Sequence, residues 1–203
     1  MRILAIETAT EACSVALFEG SALIGARHEI LGRGHAERLV PMVAELPDKG
    51  RSSEIRVSLG PGSFTGVRIG LATARALGIA WGAKVRGYPT LGLVAAMAQA
   101  NTSSAVTVCM NGGHGEWFVQ TFAASGVPAT GVVSARPEAA AASELAPVLA
   151  GSRAEELAQL CAMQAGPVRL PDASHALSMP DEMLTDTLAP LYGRAPDAKL
   201  PGS

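Results

Sequence analysis

The sequence predicts an α/β fold of two successive lobes. Two observations carry the prediction. Strand-period apolar segments are interleaved with helix-period segments from residue 2 to about residue 100, and strand patterns begin again after the polar stretch Asn101-Thr102-Ser103. Length agrees, since 203 residues can bury a core unaided and suffice for two small lobes that share one interface. The expected division is an N-terminal lobe over 1–100 and a C-terminal lobe over 101–203, with the tail packing back on the first lobe.

The opening thirty residues read as three strands in an antiparallel meander. Ile3 and Ala5, then Val15 and Leu17, mark strand periodicity, Glu19-Gly20-Ser21 supplies a turn, and Leu23 to Ile30 continues it. After Leu31-Gly32-Arg33-Gly34, the segment from His35 to Leu46 places Leu39, Val43 and Leu46 on one helical face with Met42 beside them. Pro41 lacks a backbone donor, so the helix either starts near Val40 or is kinked in its first turn. A short strand over 55–59 leads into a glycine-rich turn and a long helix to about Trp81. A strand over 84–87 and a helix over 90–100 follow. Strands are expected at 105–110, 116–122 and 127–133, with the turn Asn111-Gly112-Gly113-His114-Gly115 between the first two. The alanine-rich 138–145 is ambiguous, 153–163 reads as a helix, and the proline-punctuated tail from 167 reads as loop with one short helix.

Composition excludes several classes. Hydrophobic residues make up 48%, but much of that is alanine, and the longest apolar candidate, Ile69 to Trp81, is interrupted by Arg75, so no membrane span is expected. The N-terminus reaches Glu7 too early for a signal-peptide core, which predicts a soluble, cytoplasmic protein. Cys13, Cys109 and Cys161 are widely spaced among apolar neighbours and read as buried thiols rather than a disulfide framework or zinc site. Charge is unevenly spread. Residues 27–86 hold ten Lys/Arg against five Asp/Glu, and residues 87–203 hold the reverse. That asymmetry would steer an acidic partner such as RNA to the first half, although scattered solvated charges give the same count.

The most informative segment is Gly60-Pro61-Gly62-Ser63-Phe64-Thr65-Gly66-Val67-Arg68. A glycine-rich turn between strand and helix presents backbone N–H groups at the positive end of the helix dipole, where anions are favoured. Gly60, Gly62, Ser63, Thr65 and Gly66 are therefore candidate phosphate-binding residues, with a purely structural turn as the alternative. The spacing matches neither the P-loop nor the dinucleotide fingerprint, and the acidic residue that the latter needs about twenty positions on is missing. Gly62, Gly66, Gly70, Ala74, Gly78 and Gly82 recur every fourth residue, leaving one helix ridge almost without side chains. Each helix-interior glycine costs about 1 kcal/mol relative to alanine, so a close backbone contact must offset the loss.

This segment resembles the signature Gly-Pro-Gly-Ser-Phe-Thr-Gly-Val-Arg-Ile-Gly of the TsaB (YeaZ) family. Three further stretches resemble that family in the right order: the opening strand Ile3 to Thr10, the first-helix motif His35 to Pro41, and the C-terminal motif Pro190 to Lys199. The resemblance implies the two-lobed actin-like ATPase fold, each lobe centred on a five-stranded mixed sheet. It implies a non-catalytic subunit that activates TsaD, which transfers threonylcarbamoyl to adenosine 37 of tRNA. The implied partners are TsaD, the ATPase TsaE and tRNA through the complex, with a homodimer when the chain is alone. No intrinsic cofactor is implied, and ATP or ADP is expected only at the complex interface.

No catalytic residue and no metal ligand is assigned. TsaD carries a His-x-x-x-His pair after the strand that follows its glycine-rich helix, whereas Pro89 and Leu93 stand at those positions here. His28, His35, His114 and His175 are too scattered for a ligand set, and His35 reads as a surface residue at a helix start. Glu7 replaces the family's usual aspartate. Ser63 has no histidine that can be placed beside it as a base. A stand-alone nucleotide-binding enzyme using the glycine-rich turn is the rival. For the partner interface the resemblance selects the two helices: His35, Leu39, Met42, Val43 and Leu46 on the first, and Phe64, Val67, Gly70, Leu71, Ala74 and Gly78 on the second. Their apolar residues would make a patch too large for a monomer surface, unless both helices simply cover their own sheet.

Overall fold

The computed structural model describes residues 1–100 and 102–193. Residues 194–199 of the C-terminal motif lie outside them. The first sheet contains β1 (Arg2–Glu7), β2 (Ala12–Glu19), β3 (Ala22–Ile30), β4 (Glu54–Ser58) and β5 (Lys84–Tyr88), in the order β3-β2-β1-β4-β5. β1, β2 and β3 form the expected antiparallel meander, and β1, β4 and β5 run parallel. Parallel strands need crossovers. α1 (His35–Ala44) lies in the first, α2 (Phe64–Trp81) forms the second, and both cover one face of the sheet.

Both faces of the central strands are buried, so side chains of opposite parity on β1 enter different cores. Leu4 and Ile6 pack with Val15, Leu17, Ile55 and Val57 beneath α1 and α2. Ile3 and Ala5 pack with Ala16, Phe18 and Tyr88 beneath α3 (Thr90–Gln99) and the 3-10 turn Ala173–Ser178. This double burial explains why β1 reads as a near-continuous apolar run. Pro41 neither starts nor breaks α1. The helix runs through it, and Pro41 faces solvent, where water can take the carbonyl partner it leaves unpaired.

The second sheet contains β6 (Val106–Gly113), β7 (Glu116–Phe122), β8 (Val133–Ala135) and β9 (Val148–Ala150), in the order β8-β7-β6-β9. It repeats the first sheet's plan: an antiparallel meander followed by a strand parallel to its first member. Four strands rather than five are formed among the described residues, and a single parallel bridge from Leu149 to Ala165 marks the fifth position. The strand expected at 127–133 is corrected to the short β8. Pro128 makes only an isolated bridge to Phe122, because it cannot donate to a ladder. β9, α4 (Pro137–Ala141) and α5 (Ala154–Leu160) complete this lobe.

α3 joins the two halves. Its Leu93 and Ala96 enter the first lobe's core, while Leu91, Val94 and Ala95 pack on Val106, Val108, Phe118 and Phe122 of the second. The segment after residue 184 returns along the first lobe. Gly87 and Thr185 exchange both backbone hydrogen bonds, at 2.8 and 2.9 Å, and Leu191 donates to the Leu59 carbonyl. Cys13 and Cys109 are buried thiols, whereas Cys161 is only partly covered.

Candidate functional site

The glycine ridge of α2 packs against the turn between β1 and β2. A Cβ on Gly62 would overlap the Ala9 carbonyl oxygen, one on Gly66 the Thr8 carbonyl oxygen, and one on Gly70 the Thr8 hydroxyl. The backbone contact implied by the four-residue repeat is therefore intramolecular. Hydrogen bonds hold it closed: the Ser63 N–H donates to the Ala9 carbonyl at 2.6 Å, and the Thr8 hydroxyl donates to the Gly66 carbonyl at 2.8 Å. Ser63 caps the helix, its Oγ accepting from the Gly66 N–H at 3.2 Å.

The interface residues selected from the sequence need correction in their side chains. Leu39, Met42, Val43, Leu46, Leu71 and Ala74 lie in the first lobe's own core, and Val67, Gly70 and Gly78 are buried as well. His35 is buried too, not a surface residue, with Nε2 3.2 Å from the Ala12 carbonyl. The amphipathic pattern reports which face of each helix meets the sheet. Among the selected side chains, only Phe64 is exposed, and the Arg68 guanidinium stacks 3.2 Å above its ring. The outward face belongs to residues the sequence reading passed over. Ala36, Val40, Pro41 and Ala44 on α1, and Ala72, Ala76, Ile79 and Ala80 on α2, are exposed, with Ile79 86% accessible.

A cleft of about 760 Å3 lies between the lobes. Pro61–Gly66 of the glycine-rich turn form one wall, Gly32–Glu37 a second, and the β6–β7 tip Met110–His114 with Ser152 a third. Gly60, Gly62, Ser63, Thr65 and Gly66 are thus together at one place, although Gly60 lies behind the wall and Gly62 is pinned on Ala9. The sequence reading missed the contribution from the second lobe. Its signal was the glycine-rich turn at 111–115, where His114 takes a positive φ of 54°.

Beneath the turn lies Glu7, fully buried at the end of β1. Its Oε1 accepts the Ala9 N–H at 2.7 Å. The Ala9 and Thr8 backbone and the nearby Ser58 and Thr90 hydroxyls pull its pKa down, yet neither hydroxyl closes a hydrogen bond to Oε2. Their shorter contact is with each other, at 2.5 Å. Desolvation dominates and raises the carboxyl's pKa from 4.5 to about 7. Pro89 caps α3 and Leu93 is buried, so these two positions supply no ligand; among the described residues no cluster of three His, Cys, Asp or Glu side chains could hold a metal. No helix among the described residues is long and apolar enough to cross a membrane.

Two lobes built on one repeated strand order, with a cleft between them, define the actin-like ATPase architecture. Within that class, the family described as "TsaD: tRNA N6-adenosine threonylcarbamoyltransferase" matches residues 24–172. The tRNA threonylcarbamoyladenosine biosynthesis protein TsaB of Escherichia coli is 45% identical over 105 residues, covering 49% of this chain and 43% of that protein. An uncharacterized protein of Mycobacterium tuberculosis is 32% identical over 207 residues, covering 97% and 93% of the two chains. The crystal structure of YeaZ from Pseudomonas aeruginosa superposes with a TM-score of 0.77 at 27% identity, covering 94% of this chain and 99% of that one. The chain belongs to the TsaB (YeaZ) family. It spans less than half the length of the E. coli TsaB protein that it matches.

Proposed function

We propose that this chain is a non-catalytic subunit in the biosynthesis of threonylcarbamoyladenosine in tRNA, acting by docking its α1–α2 face on TsaD. The observation that carries the reading is the outward face of the helix pair. Val40 and Ile79 are exposed among small residues, and the glycine ridge beneath holds α2 rigidly on the β1–β2 turn. A preorganised helix pair whose exposed side chains are mostly small suits close association with a similar helix pair, because little conformational entropy is lost on docking. The same face would pair with a second copy when the chain is alone. TsaE and tRNA would join through the complex, in the cytoplasm. Catalysis is assigned to the partner, since Pro89 and Leu93 stand where TsaD has its histidine pair and Glu7 is sealed away from the cleft.

Light-scattering chromatography of the chain with TsaD from the same organism tests this reading. A one-to-one complex is expected, and Val40→Asp with Ile79→Asp should abolish it while leaving the fold intact, because both side chains are exposed. No complex with the intact chain, or a complex indifferent to the double substitution, overturns the reading. A second reading is favoured by the cleft alone, whose glycine-rich wall at the start of an 18-residue helix suits a nucleotide phosphate. Under this reading the isolated chain would bind ATP or ADP, with calorimetric heat that Gly62→Ala removes. No heat at millimolar nucleotide discards it.

A further inference from the structure

Both ends of the glycine-rich turn are tied, one residue removed, to the same buried carboxyl. At one end, the Gly60 N–H donates to Ser58 Oγ at 3.2 Å and the Gly60 carbonyl accepts from the Thr90 N–H at 2.8 Å. At the other, the Ser63 N–H donates to the carbonyl of Ala9, whose own N–H donates to Glu7 Oε1. Glu7 therefore sits at the centre of the attachment. Among the described residues its Oε2 has no hydrogen-bond partner, and the Ser58–Thr90 hydroxyl pair lies next to it.

Every described element around Glu7 leaves the carboxyl without a cation. β2 presents Ser14, its cross-strand partner, whose hydroxyl accepts from the Ala173 N–H, and also Cys13. β5 presents the buried Tyr88 hydroxyl, which donates to the Ile6 carbonyl, and beyond it stands Asp172. β4 and α3 present Ser58 and Thr90. Among the described residues neither lysine nor arginine acts on the carboxyl, while burial and the Glu7 charge raise the Tyr88 group and burial, Glu29 and Glu7 raise Cys13. A charge at this position is desolvated and has no counter-ion among the described residues, so protonation or access to water relieves it.

We propose that Glu7 is a buried proton switch: protonated, it donates from Oε2 into the Ser58–Thr90 pair and locks the glycine-rich turn, and ionised, it favours opening of that turn toward the cleft. The reading is independent of which partner docks on α1–α2, since it concerns only the turn at the head of α2. With the closed-state pKa at about 7 and the open state near the ordinary 4.5, opening gains population as pH rises between those values and levels off above.

Hydrogen exchange and carboxyl NMR on the intact chain test it together. After correction for intrinsic rates, the opening constant of the amides over residues 62–66 should rise about fortyfold from pH 5 to pH 7, the change one linked proton gives between about 7 in the closed state and 4.5 in the open one. The β6 amides report opening of the whole chain, which carries the same linked proton, so local opening of the turn is recognised by an opening constant larger than that of β6 at every pH. In Glu7→Gln the rise at the turn should vanish. A 13C-labelled Glu7 carboxyl should titrate near pH 7 in the wild-type chain, a readout that survives if the glutamine variant does not fold. A carboxyl midpoint near 4.5, turn protection that is flat with pH, or a turn opening constant equal to that of β6 overturns the proposal.

Discussion

The two faces of the α1–α2 pair obey opposite rules. Inward, Leu39, Met42, Val43 and Leu71 fill the first lobe's core, and Gly62, Gly66 and Gly70 let the α2 backbone rest on Thr8 and Ala9. Outward, Val40 and Ile79 stand exposed among exposed alanines. The strong apolar periodicity belongs to the inward face, as it does in most amphipathic helices. A docking face on a protein that must also exist unbound carries a weaker signal, because a large apolar stripe there would aggregate. The difference separates stability from association: inward substitutions should unfold the chain, and outward ones should change only what it binds.

The largest effect should come from Leu39→Ala, which removes a fully buried side chain beneath α1. Core truncations of this kind cost about 2–5 kcal/mol, and chemical denaturation should show a loss in that range. Next comes the pH dependence of the Glu7 attachment. The folded protein holds this proton more tightly than the unfolded chain, so stability is highest below about pH 4.5 as far as this group is concerned. It falls as pH rises to about 7 and is constant above. The span corresponds to roughly 3 kcal/mol, lost in wild type and absent in Glu7→Gln, as urea midpoints across that range would report.

Much of this was legible in the sequence, for physical reasons that also explain the failures. β1 to β5 and α1 to α3 were readable because their apolar periods are long and bounded by Gly20, Gly34 and Gly82, all of which adopt positive φ. The four-residue glycine repeat correctly predicted a backbone contact, and only its intramolecular partner, the Thr8–Ala9 turn, was invisible without coordinates. The second lobe was harder. β8 and β9 have three residues each, too few to show a period, and β9 is specified by its parallel pairing with Val106–Val108 rather than by anything local. Of the site, the turn at 60–66 was readable, whereas the wall from Met110–His114 and the Ser58–Thr90 pair under Glu7 arise from tertiary proximity across 32 residues or more.

Gly66→Ala sharpens the contrast from the inward side. Its new methyl would meet the Thr8 carbonyl oxygen, a backbone atom that cannot swing away, so the helix must shift. A cost of about 1–3 kcal/mol is expected, and denaturant midpoints measure it. Gly82→Ala is its control: a methyl there meets open space, and only the φ of 64° is unfavourable. Its cost should be about 1–2 kcal/mol, the penalty of a Cβ in the left-handed region, with no shift of the helix.

The smallest effect on stability is expected where the effect on association is greatest. Ile79 is 86% accessible and Val40 54% accessible. Ile79→Asp should therefore change the unfolding free energy by no more than about 0.5 kcal/mol, the usual range for surface substitutions. The same change places a charge on the outward face, where docking would desolvate it without a counter-ion. Paired measurement by thermal unfolding and light scattering should give an unchanged melting temperature and lost pairing. Lost stability with retained pairing would instead mean that Ile79 supports the fold, and that the partner uses another surface.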